Sequence, residues 1–184
     1  ASKVEAAEEA SNNYLGIDSS TFVTNATAGF EIAYKYANLK PGDEVIVPAP
    51  YWVSYPDMVK LADGTPVIVS AGIEQNFKIT GAQLEAAITP KTKMLILCSP
   101  SNPTGSVYTK EELKELADVL AKYPQVFVVA DEIYEHISYV GKHESIAQFE
   151  EIRERVIIIN GVSKAYAMTG WRIGFIAAAE WIVK

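Results

Sequence analysis

The side chains best suited to covalent or acid–base chemistry fall at spaced points along this sequence: Trp52, Asn102, Asp131 with Tyr134, Lys164 and Arg172. A lysine amine can form a Schiff base with an aldehyde. A buried carboxylate can keep a pyridine nitrogen protonated as an electron sink. An amide and a phenol can hydrogen-bond a ring oxygen, an aromatic can cover a ring, and a guanidinium with helix-end amides can hold a phosphate. Those are the demands of pyridoxal 5′-phosphate (PLP). Taken singly, each residue has a plainer role. Trp52 packs a loop, Asn102-Pro-Thr-Gly105 makes a turn, Asp131 caps the following segment, Tyr134 half-fills the core, and Lys164 and Arg172 are solvated. The conjunction favours the cofactor, because all of them sit just outside predicted strands.

Those strands are short β-rich runs at Glu44–Val47, Pro66–Val69, Met94–Cys98, Val126–Ala130, Val156–Ile159 and Ile173–Ala177. Most are continuously apolar, as strands covered on both faces must be. Helical patterns lie between them. Thr109-Lys-Glu-Glu112 is a capping box ahead of Leu113, Leu116 and Leu120, and Pro124 closes that segment. Thr80-Gly-Ala-Gln83 opens a shorter helix carrying Leu84 and Ile88, and Thr27–Ala37 reads as another. The alternation predicts an α/β fold: three layers, with a mainly parallel sheet flanked by helices. Ligands of such sheets sit beyond the carboxyl ends of the strands, where the series of polar residues falls. There is no internal repeat, low-complexity tract or linker, so residues 1–184 are expected to form a single domain.

Composition narrows the function further. The chain is 49% hydrophobic and 21% charged, with a net charge of -7, which argues against a nucleic-acid partner. No apolar run has the length of a membrane span, and the acidic, Ala-rich start (Ala1 to Ala10) does not read as a secretory signal. Cys98 is the lone cysteine, so no internal disulfide forms, and with His136 and His143 alone a zinc site lacks ligands. A cytoplasmic setting is expected.

Three stretches then carry a resemblance: Ser99-Pro-Ser-Asn-Pro-Thr-Gly105, Asp131-Glu-Ile-Tyr134 and Ser163-Lys-Ala-Tyr-Ala-Met-Thr-Gly-Trp-Arg-Ile-Gly174. Together they resemble class I aminotransferases of PLP fold type I. Pro48-Ala-Pro-Tyr-Trp-Val-Ser-Tyr-Pro56 and Ile88-Thr-Pro-Lys-Thr-Lys93 are similar, more narrowly, to bacterial aspartate aminotransferases. The resemblance implies that Lys164 carries PLP as a Schiff base and serves as acid and base in the proton shift. It implies that Asp131 pairs with the pyridine nitrogen, Asn102 and Tyr134 with the ring oxygen, and that Trp52 stacks on the ring. Arg172 would bind the phosphate beside Ser163 and the turn Ala26, Thr27 and Ala28. The implied reaction moves an amino group between an aspartate-like amino acid and a 2-oxo acid, in a homodimer or other self-associated form.

Departures from the family pattern accompany this resemblance. The phosphate turn usually has Gly, a small residue and then Ser, Thr or Lys, whereas here Ala26, Thr27 and Ala28 stand in those places. The hydroxyl comes one position early, so weaker PLP binding is expected. The chain is also shorter than family members: it reads as the core of the large PLP-binding domain, without the N-terminal segment and without the small C-terminal domain that clamps the substrate carboxylate. The alternatives to a working transaminase are therefore a PLP-binding module with little turnover, looser PLP chemistry such as racemisation or decarboxylation, and a structural domain in which the motifs are relics.

Overall fold

The computed structural model describes residues 2–15 and 19–183. Helix α1 (Lys3–Leu15) leads to strand β1 (Ser20–Val23) and α2 (Ala26–Tyr36). Then follow β2 (Glu44–Ala49), α3 (Tyr55–Leu61), β3 (Thr65–Ser70), α4 (Gly81–Ala87), β4 (Thr92–Cys98) and α5 (Lys110–Ala121). The last part runs through β5 (Phe127–Asp131), α6 (Glu150–Arg153), β6 (Val156–Gly161), β7 (Gly174–Ala177) and α7 (Glu180–Val183). All six sequence-predicted strands are present. Strand β1 and helices α3, α6 and α7 are additional to the sequence-based assignment.

The strands form one seven-stranded sheet in the order β1-β7-β6-β5-β4-β2-β3. From β6 to β3 every pairing is parallel, while β7 runs antiparallel to both β6 and β1. The reversal of β7 places its beginning, rather than its end, at the edge where β1, β2, β4, β5 and β6 finish. Arg172, two residues before β7, therefore shares that edge with the residues that follow the parallel strands.

Successive side chains of a strand point to opposite faces, and the burial of β4 shows what that requires here. Leu95 and Leu97 pack on one side with Leu84, Leu113, Leu116 and Leu120 of α4 and α5. Met94 and Ile96 pack on the other with Phe30, Ala33, Tyr55, Val59 and Ile182 from α2, α3 and α7. A sheet covered on both faces is the three-layer arrangement that the unbroken apolar runs imply. Each fully buried Leu or Ile contributes roughly 1.5–3 kcal/mol by leaving water.

Local chemistry sets the helix starts. In α5 the Thr109 hydroxyl accepts from the Glu112 amide while the Glu112 carboxylate accepts from the Thr109 amide, and α4 repeats the device with Thr80 and Gln83. Asn25 caps α2, its Oδ1 accepting from the Ala28 amide at 3.0 Å. Helix α1 is tied to β1, with Glu8 Oε1 accepting from the Thr21 hydroxyl and the Phe22 amide.

Candidate active site

The polar residues singled out in the sequence meet along the edge formed by the ends of β1, β2, β4, β5 and β6 and the start of β7. Asp131 closes β5 and is 5% exposed. Its Oδ1 accepts from the Ile133 amide at 3.3 Å, the capping role foreseen for it, but Oδ2 accepts from the hydroxyl of Tyr55 at 2.6 Å. Burial pushes the Asp131 carboxyl above the ordinary carboxylate range, the bonds from Tyr55 and Ile133 pull it back, Glu132 raises it and Lys164 lowers it. Lys164 is thus near enough for its charge to act on Asp131.

Lys164 lies in the turn after β6, and its exposed ammonium stands 5.8 Å from the centre of the half-buried Tyr134 ring. Ser163 beside it is half-buried. Trp52, after β2, meets Tyr55 edge-to-face at 5.5 Å, so its ring is linked through Tyr55 to Asp131. Asn102, half-buried, sits in the loop after β4, where the Gly105 amide and the Ser101 carbonyl close the turn at 2.9 Å. Gly105 has a positive φ of 72°, a conformation that the missing Cβ permits.

At the other end of the site, the ends of β1 and β6 and the start of β7 form the row Val23, Gly161 and Gly174. A Cβ on Gly174 would stand 2.9 Å from the Asn25 carbonyl carbon and 3.1 Å from the Ala26 nitrogen. The glycine thus lets the start of α2 rest directly on β7, which brings the segment of Arg172 against the helix N-terminus. Arg172 is exposed, has φ 54°, and donates from Nη1 to the Thr169 carbonyl at 2.9 Å. Of the first-turn amides of α2, that of Ala28 is taken by Asn25 Oδ1, while those of Ala26 and Thr27 lie at this point, where the helix dipole favours an anion. Ala28 has no hydroxyl to add, and Thr27 is exposed on the face of α2 that it shares with Glu31, Tyr34 and Lys35, bordering a cavity of about 400 Å³ between α2 and α3.

Two features escaped the sequence reading. Tyr55 is one: its partner Asp131 is 76 residues away, and the only local signal was a phenol one helical turn beyond Trp52. The other lies behind Tyr134, where Glu132, Glu135 and His143 bring ligating atoms within 4.8 Å of one another. His143 Nε2 is 3.0 Å from Glu132 Oε2, and the Ser145 hydroxyl donates to Glu132 Oε1 at 2.6 Å. This group of charges fastens the loop after Tyr134 to the end of β5.

With this geometry in place, comparison with known proteins is direct. The profile of the family described as aminotransferase class I and II matches residues 4–184. The chain belongs to that family. It is 55% identical over 163 residues to a probable aspartate/prephenate aminotransferase of Rickettsia bellii, covering 86% of this chain and 41% of that protein. It is 54% identical to an aspartate/prephenate aminotransferase of Cereibacter sphaeroides, covering 88% and 42%. Among solved structures, the aspartate aminotransferase of Thermus thermophilus with maleate superposes with a TM-score of 0.86 at 40% identity, over 97% of this chain and 47% of that one. The aromatic aminotransferase of Pyrococcus horikoshii gives 0.88 at 41% identity, over 97% and 49%. The chain spans about two fifths of the curated relatives it matches. Its sheet and flanking helices are like those of the aminotransferase large domain, and residues 48–56, 88–93, 99–105, 131–134 and 163–174 are the stretches that carried the resemblance.

Proposed function

We propose that this chain is the cofactor-binding part of a PLP-dependent aminotransferase that moves an amino group between an aspartate-like amino acid and a 2-oxo acid. The observation that carries this reading is the buried Asp131 carboxylate, held on both oxygens, at one sheet edge with an exposed lysine and the start of α2. When bound, PLP supplies an aldehyde for the amine and a protonated ring that withdraws electrons from the substrate α-carbon.

The residues present fit that group. Asp131, fixed by Tyr55 and Ile133, would accept from a protonated ring nitrogen. Lys164 would supply the amine, and its exposure leaves Nζ able to accept or deliver a proton at the substrate α-carbon. Tyr134 and Asn102 offer donors to the ring oxygen, and Trp52 an aromatic cover. The amides of Ala26 and Thr27, with Arg172 and Ser163, would hold the phosphate, while the Ala28 amide is engaged by Asn25 Oδ1. The Ala28 side chain gives that anion nothing, so binding is weaker than a hydroxyl there would allow.

The relatives' names support aspartate as a donor. Exposed apolar side chains at Val53, Leu61 and Trp171 suit a homodimer. A reducing cytoplasm suits the single Cys98 thiol, which burial pushes up to about 12. Among the described residues no helix is long and apolar enough to cross a membrane.

The test is an absorbance titration with PLP followed by aspartate. A saturable visible band that disappears in Lys164→Ala, and that aspartate converts to the pyridoxamine form, is the expected result. A lysine-dependent band that no amino acid converts would leave a PLP-binding module and refute the transaminase.

A further inference from the structure

Tyr55 is the buried side chain that bonds Asp131, and what its hold does to the Asp131 charge goes beyond the reading above. It is 2% exposed, starts α3, and its ring is wedged between Trp52 and Phe30, each with a centroid 5.5 Å away. Its hydroxyl donates to Asp131 Oδ2 at 2.6 Å, the short distance of a bond to a charged acceptor. Desolvation and the Asp131 charge keep the Tyr55 proton in place far above neutral pH, so the phenol acts only as a donor toward this carboxylate.

The groups that act on Asp131 come from every side of it. Tyr55 stands on α3, Cys98 ends β4, Glu132 follows on the same segment, and Lys164 lies in the turn after β6. Cys98 stays protonated because it is buried beside Asp131. Of these, the side chain that bonds the carboxylate is that of Tyr55. The Ile133 amide bond, at 3.3 Å, is longer and holds the other oxygen.

We propose that Tyr55 is a positioning residue: its hydroxyl holds the Asp131 carboxylate in one orientation as an ionised acceptor aimed into the site. This inference deepens, and for its consequence in the loaded protein rests on, the PLP reading. Without the phenol, Asp131 keeps one amide bond, is free to rotate, and takes up a proton more readily. It then holds a pyridine nitrogen protonated less firmly.

The experiment follows the Asp131 side-chain carboxyl by carbon NMR in 13C-aspartate-labelled protein without PLP, assigned by its loss in Asp131→Asn. In Tyr55→Phe the titration midpoint should rise by about one pH unit, roughly a ten-fold change in the ionisation constant, as expected for losing a charge-assisted bond. An unchanged midpoint would overturn the proposal. Site-specific fluorotyrosine at position 55, a stronger donor of nearly the same shape, should move the midpoint down, which loss of packing alone cannot do. This substitution also keeps the test open if Tyr55→Phe folds poorly.

A second arm loads the proteins with PLP labelled at the ring nitrogen. The nitrogen shift should show less protonation in Tyr55→Phe than in the native sequence, and equal protonation would overturn the positioning role. If Asp131 responds in the first arm while no lysine-dependent PLP band forms, the PLP reading fails and the hold of Tyr55 on the Asp131 charge stands.

Discussion

Gly174→Ala tests how the fold builds the site. The added Cβ would sit 2.9 Å from the Asn25 carbonyl carbon, 3.1 Å from the Ala26 nitrogen and 3.2 Å from the Asn160 oxygen. All three are backbone atoms, so no side chain can rotate away. Ordinary contact requires the β1–α2 junction to retreat from β7 by about 0.5 Å, and overpacking of this kind costs about 1–3 kcal/mol. At about 3 °C per kcal/mol for a chain of this size, Tm should fall by roughly 3–9 °C. Gly170→Ala is the control, since nothing lies within 4 Å of its Cβ and it is exposed; its stability should stay within about 0.5 kcal/mol of the native value. The assay is thermal unfolding of both variants by circular dichroism, followed by PLP titration of each at a temperature where both are folded. Because the retreat occurs at the start of α2, Gly174→Ala should also bind PLP more weakly than Gly170→Ala. Equal stability in the two variants would refute the close approach of the helix start to β7.

Other consequences are as direct. Leu116→Ala, in the fully buried stripe of α5, should cost about 2–5 kcal/mol in urea unfolding; a smaller loss would mean that α5 packs less tightly than described. Ala28→Ser places a hydroxyl at the α2 start and should tighten PLP binding about ten-fold by one bond to a charged oxygen; an unchanged Kd would place the phosphate elsewhere. Burial pulls the His143 imidazole down, but Glu132, Glu135 and Glu144 outweigh it and raise it above its ordinary value. Its contribution to stability is therefore complete below the ordinary histidine range and is lost as pH rises through the raised folded value. Urea midpoints at about pH 5.5 and about pH 8.5 should show that loss, and His143→Gln should reduce the difference; an identical pH dependence in the variant would contradict the pairing.

What the sequence made legible was whatever is local or periodic. The unbroken apolar runs of β4 and β5 could only be strands covered twice, and the Thr80 and Thr109 capping boxes are as written. Helix α3 was hidden because it is seven residues long and follows a Pro-rich turn, and the side chain of its cap residue Ser54 makes no capping bond. Strand β1 has four residues, too few to show a period. The direction of β7 is a property of its pairing, which no residue pattern within the strand encodes. Arg172 nevertheless falls at the right edge, because it precedes a reversed strand instead of following a parallel one. In the site, the residues with distinctive types were legible and their supports were not. Tyr55 and His143 acquire meaning from partners that only the folded chain brings near, and the glycines at 161 and 174 matter for what is absent between β6, β7 and α2.

The central claim is that Lys164 is the amine that PLP joins. Incubating the protein with PLP, reducing with borohydride and mapping the peptides by mass spectrometry tests it most directly. The account predicts a pyridoxyl adduct on Lys164 at low PLP, with the other lysines unlabelled and the adduct lost in Lys164→Ala. Labelling spread over surface lysines, or unchanged in that variant, would contradict it.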